Sequence, residues 1–282
     1  MLNYIQRAKK FRTKKRLGQN FLVDENIIQK IIDEAAVNLD EMVIEIGSGA
    51  GFVTEKLAEK AKKVIAVELD DDAVKVLRQL PNKNVEVLHQ DILATDISAL
   101  CDTPVKIVAN IPYYITSPIL AHLLGEIDEE NNKNRQGIKE IILMVQYEVA
   151  KRIIADEKSP SKEYGLLSIL AKFWSEPEFL CKVPAKSFYP APKVDSALLK
   201  LKIRKTPIVK LDNPKLFRKI IKAAFGTRRK TIKNALLNAG FSSEIIIKSF
   251  EETKIKPERR GETLSIQEYK LLTEAVERFS KL

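Results

Sequence analysis

The sequence is poor in metal-binding and disulfide-forming residues. Its 282 residues include two cysteines, Cys101 and Cys181, and two histidines, His89 and His122. Cysteines so few and so far apart exclude a disulfide scaffold and a cysteine-built zinc site. Two histidines make a histidine metal cluster unexpected, and no metal is expected. No apolar run approaches the ~18–20 residues of a membrane span, so no membrane partner is expected. The N-terminus has no apolar core of the signal-peptide kind. Its early Lys/Arg excess faintly resembles a transit peptide, but the basic run leads straight into Leu17-Gly-Gln-Asn-Phe-Leu22. It is therefore read as part of the working protein in a reducing compartment, the bacterial cytoplasm. Neither an internal repeat nor a low-complexity tract is evident.

What remains is a chain of 32.0 kDa, 45% hydrophobic and 30% charged. That length and composition suit a soluble protein of one or two domains. The net charge of +10 is unevenly spread. Residues 1–20 carry +7 with no acid, residues 200–233 carry +12, and the rest carries −9. A mildly acidic body with two basic segments suits a polyanionic partner. Charge alone does not separate that reading from a solvated tail and a solvated helix face.

Apolar spacing predicts a helix over 24–37 capped by Asp24. Short apolar runs then alternate with helical patterns. The runs are Met42–Ile46, Val64–Glu68, Val85–His89, Val105–Asn110 and Ile141–Gln146; the helical patterns lie near 52–61, 71–80 and 117–124. Such alternation predicts a mostly parallel sheet buried on both faces. Residues 128–137 read as a polar, exposed loop without a role. Strand patterns at Glu178–Val183 and Ser196–Ile203 follow, and after Pro207 the spacing turns helical, which places a domain boundary near 205–212.

Val43-Ile-Glu-Ile-Gly-Ser-Gly-Ala-Gly51 is a strand running into alternate glycines and then a helix. Glycines permit a tight turn and a close ligand. Phe52 stands where a third dinucleotide-type glycine would, and no Gly-Lys-Ser/Thr follows, so neither a pyrophosphate site nor a P-loop is indicated. The second strand ends in Glu68, whose carboxylate can accept both ribose hydroxyls of a nucleoside. The third runs into Gln90-Asp91, where an acid can bind an adenine amine. The set Glu45, Gly47, Glu68 and Asp91 resembles the S-adenosylmethionine site of Rossmann-like methyltransferases.

Asn110-Ile-Pro-Tyr113 directly follows the fourth strand and resembles the Asn/Asp-Pro-Pro-Tyr signature of amino-methyltransferases. An exocyclic adenine amine is a poor nucleophile because its lone pair is delocalised into the ring. Two acceptors, the Asn110 side-chain oxygen and a backbone carbonyl such as that of Ile111, can take its two N–H bonds and favour a tetrahedral nitrogen aimed at a methyl donor. Pro112 stiffens that turn, and Tyr113 can stack on an extruded base.

The combination of Lys15-Arg-Leu-Gly-Gln-Asn-Phe-Leu22, Glu45-Ile-Gly-Ser-Gly49, Glu68, Gln90-Asp91, Asn110-Ile-Pro-Tyr113, Ser187-Phe-Tyr-Pro-Ala-Pro-Lys-Val194 and Ala224-Phe-Gly-Thr-Arg-Arg-Lys-Thr231 is similar to the rRNA adenine N6-dimethyltransferase family over nearly the whole chain. Within it, the chain is most similar to the type that dimethylates two adjacent adenines near the 3′ end of small-subunit (16S) rRNA during ribosome assembly. The resemblance implies an α/β, Rossmann-like S-adenosylmethionine-dependent catalytic domain over 1–208 and a small all-helical rRNA-recognition domain over 209–282. It implies cofactor contacts at Asn20, Leu22, Gly47, Glu68, Asp91 and Asn110, and catalytic roles for Asn110, Pro112, Tyr113 and Phe188, the last as a second aromatic bracketing the base. The implied partner is small-subunit rRNA in the immature 30S subunit, met by a monomer. Arg228, Arg229 and Lys230 are expected to contact RNA. Gly226 and Thr227 would place them in the first turn of a helix, where cations oppose the dipole until phosphate binds; an earlier helix start would leave them merely solvated. Two alternatives stand beside this reading: the related 23S rRNA adenine dimethyltransferase of the macrolide-resistance type, and a non-enzymatic RNA-binding assembly factor.

Overall fold

The computed structural model describes residues 4–11, 14, 18–160 and 163–281, without the side chain of Tyr113. In chain order the elements are α1 (Tyr4–Ala8), β1 (Phe21–Leu22), α2 (Glu25–Ala35), β2 (Met42–Ile46), α3 (Phe52–Ala58), β3 (Lys63–Glu68), α4 (Asp71–Leu77), β4 (Val85–His89), β5 (Val105–Asn110), α5 (Thr116–Leu124), α6 (Lys133–Gln136), β6 (Ile138–Gln146), α7 (Tyr147–Ile154), α8 (Leu166–Trp174), β7 (Ser175–Val183), β8 (Phe188–Tyr189), β9 (Ser196–Ile203), α9 (Pro214–Gly226), α10 (Ile232–Asn238), α11 (Ser243–Thr253) and α12 (Ile266–Ser280).

The chain forms two compact units. One takes 1–125, 131–150 and 176–203; the other takes 126–130, 151–175 and 204–282. The sequence pattern places the domain change near 205–212. The structure puts a boundary at Arg204 and also assigns the apolar helix α8 to the second unit.

In the first unit, seven strands among the described residues lie in the order β4-β3-β2-β5-β6-β9-β7. Strands β2 to β6 pair in parallel, and β9 runs antiparallel to β6. The strand sequences explain the burial. Val43, Ile44, Val64, Ala66, Ile107 and Ile141 have no exposed surface, as expected of strands covered on both faces. Asp24 caps α2 through its side chain, which accepts from the Asn26 and Ile27 amides; this offsets a helix end's unpaired donors. The helix then buries Ile28, Ile31, Ile32 and Ala35 on one face. Because β3 and β4 lie on one side of β2 while β5 and β6 lie on the other, the strand order reverses at the β2 tip. Open α/β sheets place their ligand crevice at such a point.

The segment read as an exposed polar loop is in part a docked helix. Asn132 caps α6 by accepting from the Arg135 amide, and Arg135 is buried with its guanidinium donating to the Leu124 carbonyl. Asn134 accepts from the Ile97 amide and donates to the His122 carbonyl. Its polar residues bond inward, which composition alone does not reveal.

The second unit is helical, with an aromatic core. Phe173 meets Trp174 at 4.8 Å and Phe217 at 5.9 Å, while Phe225 sits between Tyr164 and Tyr269. Arg260-Gly-Glu-Thr-Leu-Ser265 folds into this core. The Tyr269 hydroxyl donates to the Gly261 carbonyl at 2.7 Å, and Ser265 and Glu268 form a reciprocal cap at the start of α12. A Cβ on Gly261 would stand 2.8 Å from Ala224 Cβ and 2.9 Å from the Tyr269 hydroxyl. Gly261→Ala is therefore expected to destabilise the chain by about 1–3 kcal/mol, the usual cost of overpacking. Denaturant unfolding monitored by circular dichroism measures this, and an unchanged midpoint would contradict the close packing.

Candidate functional site

A cleft opens at the carboxyl ends of β2, β3, β4 and β5, floored by the glycine turn and walled on one side by residues 18–22. Polar and apolar groups from all four strand tips line it.

Gly47, at φ 74°, begins the turn after β2. A Cβ there would stand 2.7 Å from the Asn110 carbonyl oxygen. This glycine lets the tips of β2 and β5 approach each other, so the backbone rather than a ligand imposes the requirement. Gly49, at φ 52°, lies under the Phe21 ring.

Glu68 is fixed from three sides. Its Oε2 accepts the Gly49 amide at 2.7 Å, and its Oε1 accepts the Leu69 and Asp70 amides at 2.8 and 2.9 Å. The three backbone donors fix the carboxylate and leave further lone pairs for hydroxyl donors. Asp91 accepts the Leu93 amide at 2.9 Å, which closes a one-turn bend after β4. Asn110 ends β5 at the cleft. Leu22, Ile92 and Ile111, all buried, form the apolar part of the cleft wall.

All six residues expected at a cofactor, Asn20, Leu22, Gly47, Glu68, Asp91 and Asn110, line this one cleft, and Pro112 joins them. The Asn20 amide donates to the Gly18 carbonyl at 2.9 Å, which braces the wall. Among the described residues, the Asn110 side chain makes no hydrogen bond to a protein group, so its amide is available to a ligand. The Tyr113 side chain lies outside the described residues. Phe188 is placed elsewhere: it is 3% exposed, in the core with Phe21 and Leu22, and does not line the cleft. The cause is a short antiparallel ladder in which Leu22 pairs with Phe188 and Phe21 with Tyr189. In this arrangement the ring offers no open face to a base. Sequence reasoning passes over Tyr114, which is 63% exposed at the mouth beside Gly18. The doubled tyrosine after Pro112 is the available signal.

The basic turn of the second unit also differs from the expectation. Helix α9 runs through Gly226, the Thr227 hydroxyl bonds back to the Ala223 carbonyl, and Thr231 caps α10. Arg228, Arg229 and Lys230 therefore occupy the turn between two helices and not a helix's first turn. Arg228 is committed internally: its guanidinium donates to the Tyr164 carbonyl and pairs with Glu262 at 3.3 Å. All three residues are exposed, and Arg228 is the one tied to Tyr164 and Glu262.

Glu45 sits below the glycine turn, 4% exposed, and accepts a hydrogen bond from the Thr54 hydroxyl. Burial pushes its carboxyl up to about 7, opposed by the Thr54 and Ser48 hydroxyls and reinforced by the charge of Glu68. The Ser48 hydroxyl is buried at the cleft without a protein partner in hydrogen-bonding geometry. The folded protein thus keeps a proton that the unfolded chain releases. The resulting stability is present at low pH and is lost as pH rises from about 4.5 to about 7. Glu45→Gln, always neutral, should lose less stability across that window, as read by melting temperature against pH for both proteins. Parallel curves would contradict the raised value.

Among the described residues no helix is long and apolar enough to cross a membrane, and no group of three His, Cys, Asp or Glu is placed to hold a metal ion.

Comparison with known proteins fits this geometry. The family described as Ribosomal RNA adenine dimethylase matches residues 10–276. The chain is 42% identical over 276 residues to the Ribosomal RNA small subunit methyltransferase A of Alkaliphilus metalliredigens (strain QYMF), covering 95% of this chain and 93% of that protein. It is 41% identical over 285 residues to the protein of the same name from Shouchella clausii (strain KSM-K16), covering 97% and 93%. Among solved structures it resembles a dimethyladenosine transferase from Plasmodium falciparum, with a TM-score of 0.74 and 26% identity over 93% of this chain and 98% of that one. It also resembles the 23S rRNA methyltransferase ErmE, with a TM-score of 0.68 and 25% identity over 92% and 100%.

Proposed function

The chain belongs to the ribosomal RNA adenine dimethylase family, and we propose that it dimethylates the N6 amines of two adjacent adenines near the 3′ end of small-subunit rRNA, with S-adenosylmethionine as methyl donor. The observation that carries this reading is the convergence of Glu68, Asp91 and Asn110 on one cleft at the sheet's switch point. Full-length relatives named for the small subunit are 41–42% identical, against 25% for the 23S rRNA methyltransferase ErmE. That difference favours the small-subunit substrate.

The donor set suits the cofactor. Glu68 would accept the ribose hydroxyls, Asp91 the adenine amine, and Asn20, Leu22 and Gly47 would wall the site. The Ser48 hydroxyl, buried at the cleft beside Glu45, offers one more polar contact. When bound, S-adenosylmethionine supplies an electrophilic methyl group. The chain's own task is to prepare the acceptor. The Asn110 side-chain oxygen and the Ile111 carbonyl take the two N–H bonds of the target amine and orient its lone pair, which requires no strong base. Pro112 holds that turn, and Tyr113 is assigned the extruded base, with about 1–3 kcal/mol available from stacking. Substrate RNA meets the exposed Arg229 and Lys230, while Arg228 braces their turn from behind.

Transfer of labelled methyl groups to undermethylated small subunits, run beside large-subunit RNA, tests the proposal. Label is expected in the small subunit, and label confined to large-subunit RNA would overturn it. Asn110→Ala should keep most cofactor affinity while losing about a hundredfold or more in transfer rate, as for a lost transition-state contact. Near-wild-type turnover would remove Asn110 from the amine-orienting role.

The basic turn yields a separate expectation. Arg229→Ala with Lys230→Ala should weaken RNA binding and flatten its salt dependence by about 0.7–0.9 per lost phosphate contact. Arg228→Ala should chiefly lower the melting temperature. Filter binding over a salt series and thermal melts separate the two effects; an unchanged salt slope in the double variant contradicts phosphate contact.

A further inference from the structure

We propose that Gln19 is a positioning residue that clasps the 18–22 wall of the cleft to Asp70, and through Asp70 to the Glu68 carboxylate, so that closing the wall and setting that carboxylate are one event. The inference rests on the reading of the cleft as a cofactor site.

Gln19 is the member of the Gln-Asn-Phe-Leu segment with no role so far. Asn20 braces Gly18, while Phe21 and Leu22 pair with β8. The Gln19 side chain bridges in two directions instead. Its Oε1 accepts the Lys14 amide at 2.8 Å, and its Nε2 donates to Asp70 Oδ2. Asp70 is 4% exposed. It also receives the Lys14 ammonium, and it caps α4 by accepting the Asp72 amide at 3.1 Å. Lys14 extends to Asp72 at 2.8 Å. The Asp70 amide in turn donates to Glu68 Oε1 at 2.9 Å. An unbroken path of hydrogen bonds therefore runs from the cleft wall to the carboxylate assigned to the ribose.

The groups suit a clasp. A primary amide supplies a donor and an acceptor at once, so one side chain holds both the backbone at Lys14 and the carboxylate at Asp70. A hydrogen bond to a charged, poorly exposed acceptor is among the stronger kinds. The linkage is reversible because Lys14 is partly exposed and Gln19 carries no charge of its own. A ligand that binds only beneath a closed wall gains apparent affinity in proportion to the fraction of chains already closed. Loss of the clasp should therefore act on cofactor residence and leave the chemistry at Asn110 alone.

Binding of S-adenosylmethionine and S-adenosylhomocysteine to the full chain, by calorimetry and stopped-flow, tests this in the wild type, Gln19→Leu and Gln19→Glu. Gln19→Leu keeps bulk but loses both bonds, and its dissociation constant should rise about tenfold through faster release. Its kcat at saturating cofactor should stay within about twofold of wild type, so KM and kcat separate. Gln19→Glu sets a second carboxylate against Asp70 and should lose more. In the wild type, cofactor should slow amide exchange at Lys14 and Asp70 together, a readout that needs no variant. A folded Gln19→Leu with wild-type affinity and release rate overturns the clasp, as does protection of one amide without the other. A wild-type chain that binds neither ligand overturns the cofactor reading itself and the clasp with it.

Discussion

The Glu68 carboxylate is the fixed point of the catalytic unit. Three backbone amides, from Gly49, Leu69 and Asp70, converge on it. They belong to the turn after β2 and to the loop between β3 and α4, so one side chain ties two strand tips together. The arrangement depends on the parallel pairing that sets the tips of β2 and β3 side by side. It also depends on the missing side chain at Gly47, since a Cβ there would strike the Asn110 carbonyl. The carboxylate and the amide assigned to the two substrates thus stand at the tips of β3 and β5, the two strands that flank β2. A backbone donor set is already in place before any ligand arrives, which limits the reorganisation that binding requires.

Glu45 and Glu68 show how environment separates two acids of one site. Glu68 is surrounded by backbone donors, whereas Glu45 lies in the core with one hydroxyl donating to it, and burial raises its pKa to about 7. The first acid keeps lone pairs open to hydroxyl donors. The second is balanced between neutral and charged near neutral pH, so a cationic ligand in the cleft favours its ionised form by Coulomb attraction. Their opposite treatment follows from position alone: Glu68 ends its strand at the solvent edge, and Glu45 lies within its strand on the covered face.

Much of the sheet was legible in the sequence because short strand-like runs alternate with helical patterns, mainly apolar in the buried β2 and β5 and interrupted by Glu86 in the half-exposed edge strand β4. Met42–Ile46, Val85–His89 and Val105–Asn110 match the observed strands residue for residue, and Gly47, Glu68, Asp91 and Asn110 converge because they lie at or just past the tips of β2, β3, β4 and β5. Other features depend on contacts that spacing does not encode. Residues 133–136 read as loop because they are polar, yet Arg135 is buried by a carbonyl that only the fold supplies. Gly226 reads as the end of a helix and Thr227 as the start of another; the Thr231–Arg260 bridge moves that start to Ile232. Gly261 carries no local signal, since its requirement comes from Ala224 and Tyr269.

Phe188 carries the same lesson into the chemistry. Its motif points to a base-stacking aromatic, but its strand partner is Leu22, in the segment that walls the cleft. The Ser187 carbonyl accepts the Val23 amide, and the Ser187 hydroxyl donates to Asp24, the residue that caps α2. The loop that follows β7 is therefore fastened to the cleft wall and the residues after it at four successive positions, Phe21 to Asp24. The two short strands join the cleft wall to the loop that carries Phe188. Gln19, three residues before Leu22, fastens the other end of the wall to the Asp70–Glu68 path. The wall is thus anchored at both ends, by a side-chain clasp at one and a backbone ladder at the other, and the clasp is the end that can open without breaking strand pairing.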